Sequence, residues 1–149
     1  GGEQMIALIQ RVNWAQVHIE GILHADIGQG LLAFIGVEKD DTDEHSQKLL
    51  DKILAYRVFA DSDGKMNLDV KDIGGDLMLV SQFTLAADTG KGLRPGFSSA
   101  KAPAEAESLY LKFVAAAEKK HEFVRSGKFA ADMQVSLEND GPVTFILKV

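Results

Sequence analysis

The chain has 149 residues, and its 16 Lys and Arg against 22 Asp and Glu give a formal net charge of −6. That length suits one domain with its own hydrophobic core, and the absence of cysteine excludes disulfides, a thiolate nucleophile and Cys-ligated metal. The acidic balance argues against indiscriminate coating of nucleic acid, because that affinity comes from Lys and Arg neutralising phosphates.

No apolar run approaches membrane-spanning length, so no membrane partner is expected. Gly1-Gly2-Glu3-Gln4 has no basic n-region or apolar h-region. It reads as a non-native leader ahead of a natural start at Met5, with one domain over 5–149 and a cytoplasmic location. Met5 to Val12 reads as a first strand, and the alternation of Ala15, Val17 and Ile19 as a second, half-buried one. Glu20-Gly21 suits a hairpin turn. Leu31 to Val37 is apolar on both faces and suits a central, doubly covered strand.

Asp40 to Asp43 offers caps for a helix to about Tyr56, with Leu49, Leu50, Ile53 and Leu54 on one face. Arg57 to Ala60 reads as a short strand and Asp61-Ser62-Asp63-Gly64 as a turn. Gly74-Gly75 precedes another buried strand, Leu77 to Gln82, and residues 86–101 read as irregular. A second helix is expected from about Pro103 to Lys120. Pro103 suits its first turn, Glu105 and Glu107 the positive end of its dipole, and Lys119 and Lys120 the negative end. Its buried stripe is Ala106, Leu109, Tyr110, Phe113, Val114 and Ala117. Met133, Val135 and Leu137 alternate as a strand; Asn139-Asp140-Gly141-Pro142 reads as a turn into a last strand, Val143 to Val149. The order predicts a single compact α/β domain. Two amphipathic helices cover one face of layered, largely antiparallel sheet.

The four histidines, His18, His24, His45 and His121, show no metal-ligand spacing and read as solvated surface groups, so no metal is expected. Ser81-Gln82-Phe83-Thr84 stands at the end of a buried strand before a Gly-rich loop, a common place for functional groups. A hydroxyl nucleophile needs a base, and no G-x-S-x-G or triad pattern accompanies these residues. Gly141-Pro142 is open to two readings, a plain turn or a cis bond exposing two adjacent carbonyls. Lys91, Arg94 and Lys101 cluster in the following loop, either as a solvated patch or as a phosphate footprint.

Val80-Ser81-Gln82-Phe83-Thr84-Leu85 and Asn139-Asp140-Gly141-Pro142-Val143-Thr144-Phe145 together resemble the D-aminoacyl-tRNA deacylase family, historically the D-tyrosyl-tRNA deacylases. Supporting stretches include Gln10-Arg11-Val12, Gly36-Val37-Glu38-Lys39 and Ala131-Asp132-Met133-Gln134-Val135, so the resemblance runs in order from Met5 to Val149. Phe129-Ala130-Ala131 stands where the family often has Phe-Gly-Ala. The resemblance implies a compact barrel-like α/β fold and a homodimer with active sites at its interface. It also implies hydrolysis of D-aminoacyl-tRNA esters, with glycyl-tRNA accepted, no cofactor, and no DNA partner. Ser81, Gln82, Phe83 and Thr84 would form the pocket, with the Phe83 and Thr84 amides facing the oxyanion and the tRNA's terminal 2′-hydroxyl assisting. A cis Gly141–Pro142 from the other subunit would face the α-amino group, Arg11 would brace it, and Met133 would line the terminal-adenosine site.

Three rivals stand beside this reading. One is the related deacylase type that removes L-alanine from mischarged tRNA through a trans Gly–Pro. Another is a non-catalytic nucleic-acid module, and the third a generic esterase. Arg11, the two intact segments and the missing triad weigh against them in turn.

Overall fold

The structure, a computed structural model, describes residues 5–98 and 100–149. The leader expected at 1–4 lies outside the described residues. Where the alternation suggests two strands, β1 runs unbroken over Ile6–Ile19. Met5, Ala7 and Ile9 enter one core cluster, whereas Val12, Ala15 and Val17 enter another. Val12 to Ala15 is a step of three, so one residue is extra at Asn13-Trp14; both are exposed, and pairing with the last strand shifts there. A bulge thus absorbs what reads in sequence as a gap between strands.

β2 (Ile22–Ile27) returns antiparallel through Glu20-Gly21, both at positive φ (51° and 77°), as tight hairpin turns require. β3 (Gly30–Gly36) pairs antiparallel with the first half of β1, so β2 and β3 lie end to end along one side of it. α1 (Asp43–Ala55) starts on a capping box, in which Thr42 and His45 each satisfy the other's backbone amide. β4 (Phe59–Ala60) and β5 (Met66–Leu68) form a small separate ribbon around the turn at 61–64; β5 is not evident in the sequence, and β4 is shorter than expected. β6 (Asp76–Ser81) joins β3 in parallel, which requires a crossover, supplied by α1. α2 (Pro103–Lys120) then carries the chain to β7 (Val124–Ser126), a short parallel neighbour of β6 that the sequence pattern does not announce.

β8 (Met133–Lys148) corrects the expected strand, turn and strand. It is one strand, antiparallel to β1 along nearly its whole length. Gln10 faces Thr144 and Val12 faces Asn139, so Asp140–Val143 stand opposite Arg11 alone. The segment is a wide outward bulge, after which the strand resumes its direction. Asn139 ties the bulge across its base, its Oδ1 accepting from Val143 N at 2.9 Å and its Nδ2 donating to Thr144 Oγ1 at 2.8 Å.

Side chains of β3 and β6 alternate between the two clusters: Leu31, Ala33, Leu77 and Leu79 in the first, Leu32, Met78 and Val80 in the second. Both faces are dry, which is why these strands read as unbroken apolar runs. Leu49, Leu50 and Ile53 of α1 and Leu109, Tyr110 and Phe113 of α2 all enter the first cluster. The helices therefore cover one face of a mixed, nearly closed, barrel-like sheet, the compact α/β arrangement expected. His121 departs from the surface reading: it is buried at the end of α2, with Nε2 2.7 Å from Gly75 O. No described helix is long and apolar enough to cross a membrane.

Candidate active site

β6 delivers Ser81 to the edge of the sheet, and the chain then makes a short 3-10 turn over Phe83–Ala86. Gln82 N still donates to Ile35 O at 2.8 Å, while Leu85 N and Ala87 N close the turn on Gln82 O and Thr84 O. Gly36 makes the close approach possible, because a Cβ there would stand 2.7 Å from both Leu85 Cβ and Ile6 Cγ2. Ser81 is half-buried, and Gln82, Phe83 and Thr84 are exposed.

Ser81–Thr84 form one wall of an open cleft of about 1000 Å³. Phe129–Met133 form a second wall, and Ala102, Pro103 and Ala106 at the start of α2 a third. The lining is largely apolar, with a few polar groups converging, as small-molecule sites usually are. Phe83 packs on Phe97 with ring centroids 5.3 Å apart. Gln82 Nε2 donates to Thr84 Oγ1 at 3.0 Å. Among the described residues no histidine lines the cleft, and no hydrogen bond joins Asp132, which does line it, to either hydroxyl. No backbone hydrogen bond is found for the Phe83 and Thr84 amides among the described residues. That is the usual state of the first N–H groups of a helical turn.

The structure thus brings Ser81, Gln82, Phe83, Thr84, Met133 and Lys101 together. Lys101 Nζ donates to Lys39 O at 3.0 Å, which fixes it at the rim. Lys91 and Arg94 are exposed in the loop and do not line the cleft. Gly141 and Pro142 are also outside it. Their peptide bond is cis, and both are exposed on β8. Met133 lies eight residues before Gly141 on the same strand, a separation on the order of 25 Å. Arg11 stays with the bulge, Nε donating to Asp140 O at 3.1 Å and Nη1 to Val58 O at 2.7 Å, with Asp140 Oδ2 3.4 Å from Nε.

Phe97, Phe129, Asp132 and the start of α2 are cleft residues that sequence reasoning misses. The signal for the second wall is the pair of family segments Phe129-Ala130-Ala131 and Ala131-Asp132-Met133; Gly127 lies beneath that wall, where a Cβ would stand 2.7 Å from Met133 Sδ.

The family model described as D-Tyr-tRNA(Tyr) deacylase matches residues 8–148. A D-aminoacyl-tRNA deacylase of Erwinia tasmaniensis is 58% identical over 145 residues, covering 97% of this chain and 100% of that one. One from Actinobacillus pleuropneumoniae is 59% identical over 146 residues, with the same coverage. Among solved structures, the c-Myc DNA unwinding element binding protein superposes with a TM-score of 0.93 at 37% identity, covering 97% of this chain and 98% of that one. A probable eukaryotic D-amino acid tRNA deacylase superposes at 0.85 with 15% identity, over 98% and 100% of the two chains, which is a likeness of fold.

Proposed function

The chain belongs to the D-aminoacyl-tRNA deacylase family, hydrolases that cleave the ester of a D-amino acid on tRNA, and from that premise we propose how it performs the reaction and rejects L-substrates. The working unit is a homodimer. The terminal adenosine enters the cleft beside Met133, and the ester carbonyl lies over the amides of Phe83 and Thr84. Those donors stabilise the charge that develops on the carbonyl oxygen. Water adds to the carbonyl carbon, the bond to the ribose oxygen breaks, and that oxygen takes the proton. The adenosine 2′-hydroxyl assists, since Ser81 and Thr84 have no base beside them. Gln82 holds the Thr84 hydroxyl in place, which suits a positioning role rather than a nucleophile's.

Chirality is read by Gly141 and Pro142 of the partner subunit. With the amine and carbonyl fixed, D- and L-esters differ only in where the side chain projects, so rigid backbone placed on one side excludes one hand. The observation that carries this reading is a separation. Gly141 and Pro142 are exposed and stand about 20 Å along β8 from Val135, the nearest β8 residue of their own cleft, which supports their being supplied to it by a second copy. Glycine, having no side chain, meets no obstruction, so glycyl-tRNA is a substrate as well. Lys101 at the rim is the first contact for tRNA phosphates, with Lys91 and Arg94 beyond it. The domain is taken as 5–149 and its workplace as the cytoplasm, where aminoacyl-tRNA is used. DNA is not part of this reading, because a net charge of −6 gives no general affinity for phosphate. Incubation with D-tyrosyl-tRNA, L-tyrosyl-tRNA, glycyl-tRNA and a simple tyrosyl ester tests it. Hydrolysis of the D- and glycyl-tRNAs alone is expected, and equal cleavage of both hands would refute it.

A further inference from the structure

β6 lies between β3 and β7, and its two neighbours do not reach equally far. On the β3 side the ladder continues past Ser81, with Gln82 N donating to Ile35 O at 2.8 Å. On the β7 side it stops at Leu79, whose carbonyl accepts from Gly127 N at 2.8 Å. Backbone amides alternate in direction along a strand, so the next one facing that side belongs to Ser81. Among the described residues, no strand is there to meet it.

Tyr110 of α2 occupies the gap. Its hydroxyl donates to Leu79 O at 3.0 Å and stands 3.4 Å from Gly127 O. The ring is 6.0 Å from that of Phe129 in the second cleft wall. Tyr110 is 1% exposed, and burial pushes its pKa well above the ordinary phenol value, so the hydroxyl keeps its proton at any working pH. Phenylalanine would fill this space without the cost of burying a hydroxyl. What the oxygen adds is a hold on the strand end and on Gly127, from which the first and second walls diverge. The third wall is the start of Tyr110's own helix.

We infer that Tyr110 is a positioning residue for the hydrolysis, its hydroxyl fixing the end of β6 at Leu79 and so the Ser81–Thr84 wall that follows, while its ring sets the distance to Phe129. The inference rests on reading the cleft as the active site. Preorganised donors lose effect when their support is loosened, even if the fold survives.

The test uses the full chain and Tyr110→Phe. On D-tyrosyl-tRNA, kcat is expected to fall about tenfold with KM within about twofold of wild type. Phe113→Leu, a buried change on the same helix, should lower the melting temperature without that kcat loss. Amide exchange supplies a readout independent of activity. The Gly127 amide, which donates to Leu79 O, should be protected in wild type and should exchange at least about tenfold faster in Tyr110→Phe, with Ile35 unchanged. Wild-type kcat in Tyr110→Phe, or Gly127 exchange unchanged in that variant, would overturn the inference. If wild type does not cleave D-tyrosyl-tRNA, the active-site reading fails, and the exchange data still decide whether Tyr110 holds the β6–β7 end.

Discussion

Arg11 offers the sharpest structural perturbation, because one side chain ties the bulge at Asp140–Val143 to the carbonyl of Val58. Arg11→Met keeps most of the aliphatic stem and removes the guanidinium. Val58 is buried, so its carbonyl loses its Nη1 partner where water does not readily replace it, at a cost of about 1–3 kcal/mol. Loss of the Nε bond to Asp140 O costs about 1 kcal/mol. The accompanying ion pair, to a half-exposed Asp140 carboxylate, adds at most about 1 kcal/mol. The sum is about 2–5 kcal/mol, or a fall in Tm of about 6–16 °C for a chain of this size. Arg11→Lys should recover about half, since a point cation cannot reach both carbonyls as the planar fork does. Asp140→Ala should cost about 1 kcal/mol or less, because the Nε bond goes to backbone. The assay is thermal unfolding beside D-tyrosyl-tRNA deacylation, in which kcat/KM should follow the order wild type, Asp140→Ala, Arg11→Lys, Arg11→Met. An Arg11→Met protein within about 0.5 kcal/mol of wild type and fully active would refute the assignment of Arg11 as the brace.

Three further outcomes are expected. Thr84→Ala should retain a substantial part of kcat, and mass spectrometry of quenched reactions should find no aminoacyl group on Ser81 or Thr84; a trapped ester on either would make that residue the nucleophile. Gly127→Ala places a methyl against Met133 Sδ, a flexible end that can yield only by moving within the cleft; KM should rise about threefold or more while stability changes by about 1 kcal/mol or less, and an unchanged KM would remove Met133 from the substrate site. Asp41 is buried, with Oδ2 accepting from Glu38 N at 2.6 Å and Oδ1 without a hydrogen bond, and burial raises its pKa above the ordinary 3.8 against the opposing pull of that bond, His45 and Lys101. The folded state therefore holds a proton that the unfolded state releases as pH rises past 3.8, and wild-type stability is lost across that window. The stability of Asp41→Asn relative to wild type should thus increase from pH 4 toward pH 7 in urea titrations, and a flat or opposite trend would contradict it.

Much of the fold was legible because it depends on local patterns. The Leu49–Leu50–Ile53–Leu54 stripe fits a 3.6-residue period, and Pro103 and Lys119–Lys120 bracket α2 as the helix dipole favours. The β3 and β6 runs announced their own double burial. The misreadings involve pairing between distant segments. Nothing near Asn13-Trp14 or Asn139–Pro142 says that the partner strand continues, so two bulges looked like a gap and a turn. β7 has three residues, too few to show a period, and it exists because β6 offers an edge. In the cleft, the Ser81–Thr84 wall was readable as a strand end with a motif. Phe97, Phe129 and the start of α2 reach it through folding alone. His121 looked like a surface residue because the Gly75 carbonyl that receives it is 46 positions away.

The claim that Gly141–Pro142 serves the neighbouring subunit's cleft is tested most directly by complementation. Gly141→Ala puts a side chain at φ +130°, with its Cβ 2.7 Å from Val143 Cγ2, and should disable the element that reads the amine. Ser81→Phe should block the cleft. Each homodimer is expected to be nearly inactive on D-tyrosyl-tRNA. Mixed one to one with subunit exchange, about half the dimers are hybrids, and each hybrid has one intact site of its two. The account predicts recovery to about one quarter of wild-type activity; no recovery on mixing would contradict it, because a site built within one chain stays broken in both subunits of the hybrid.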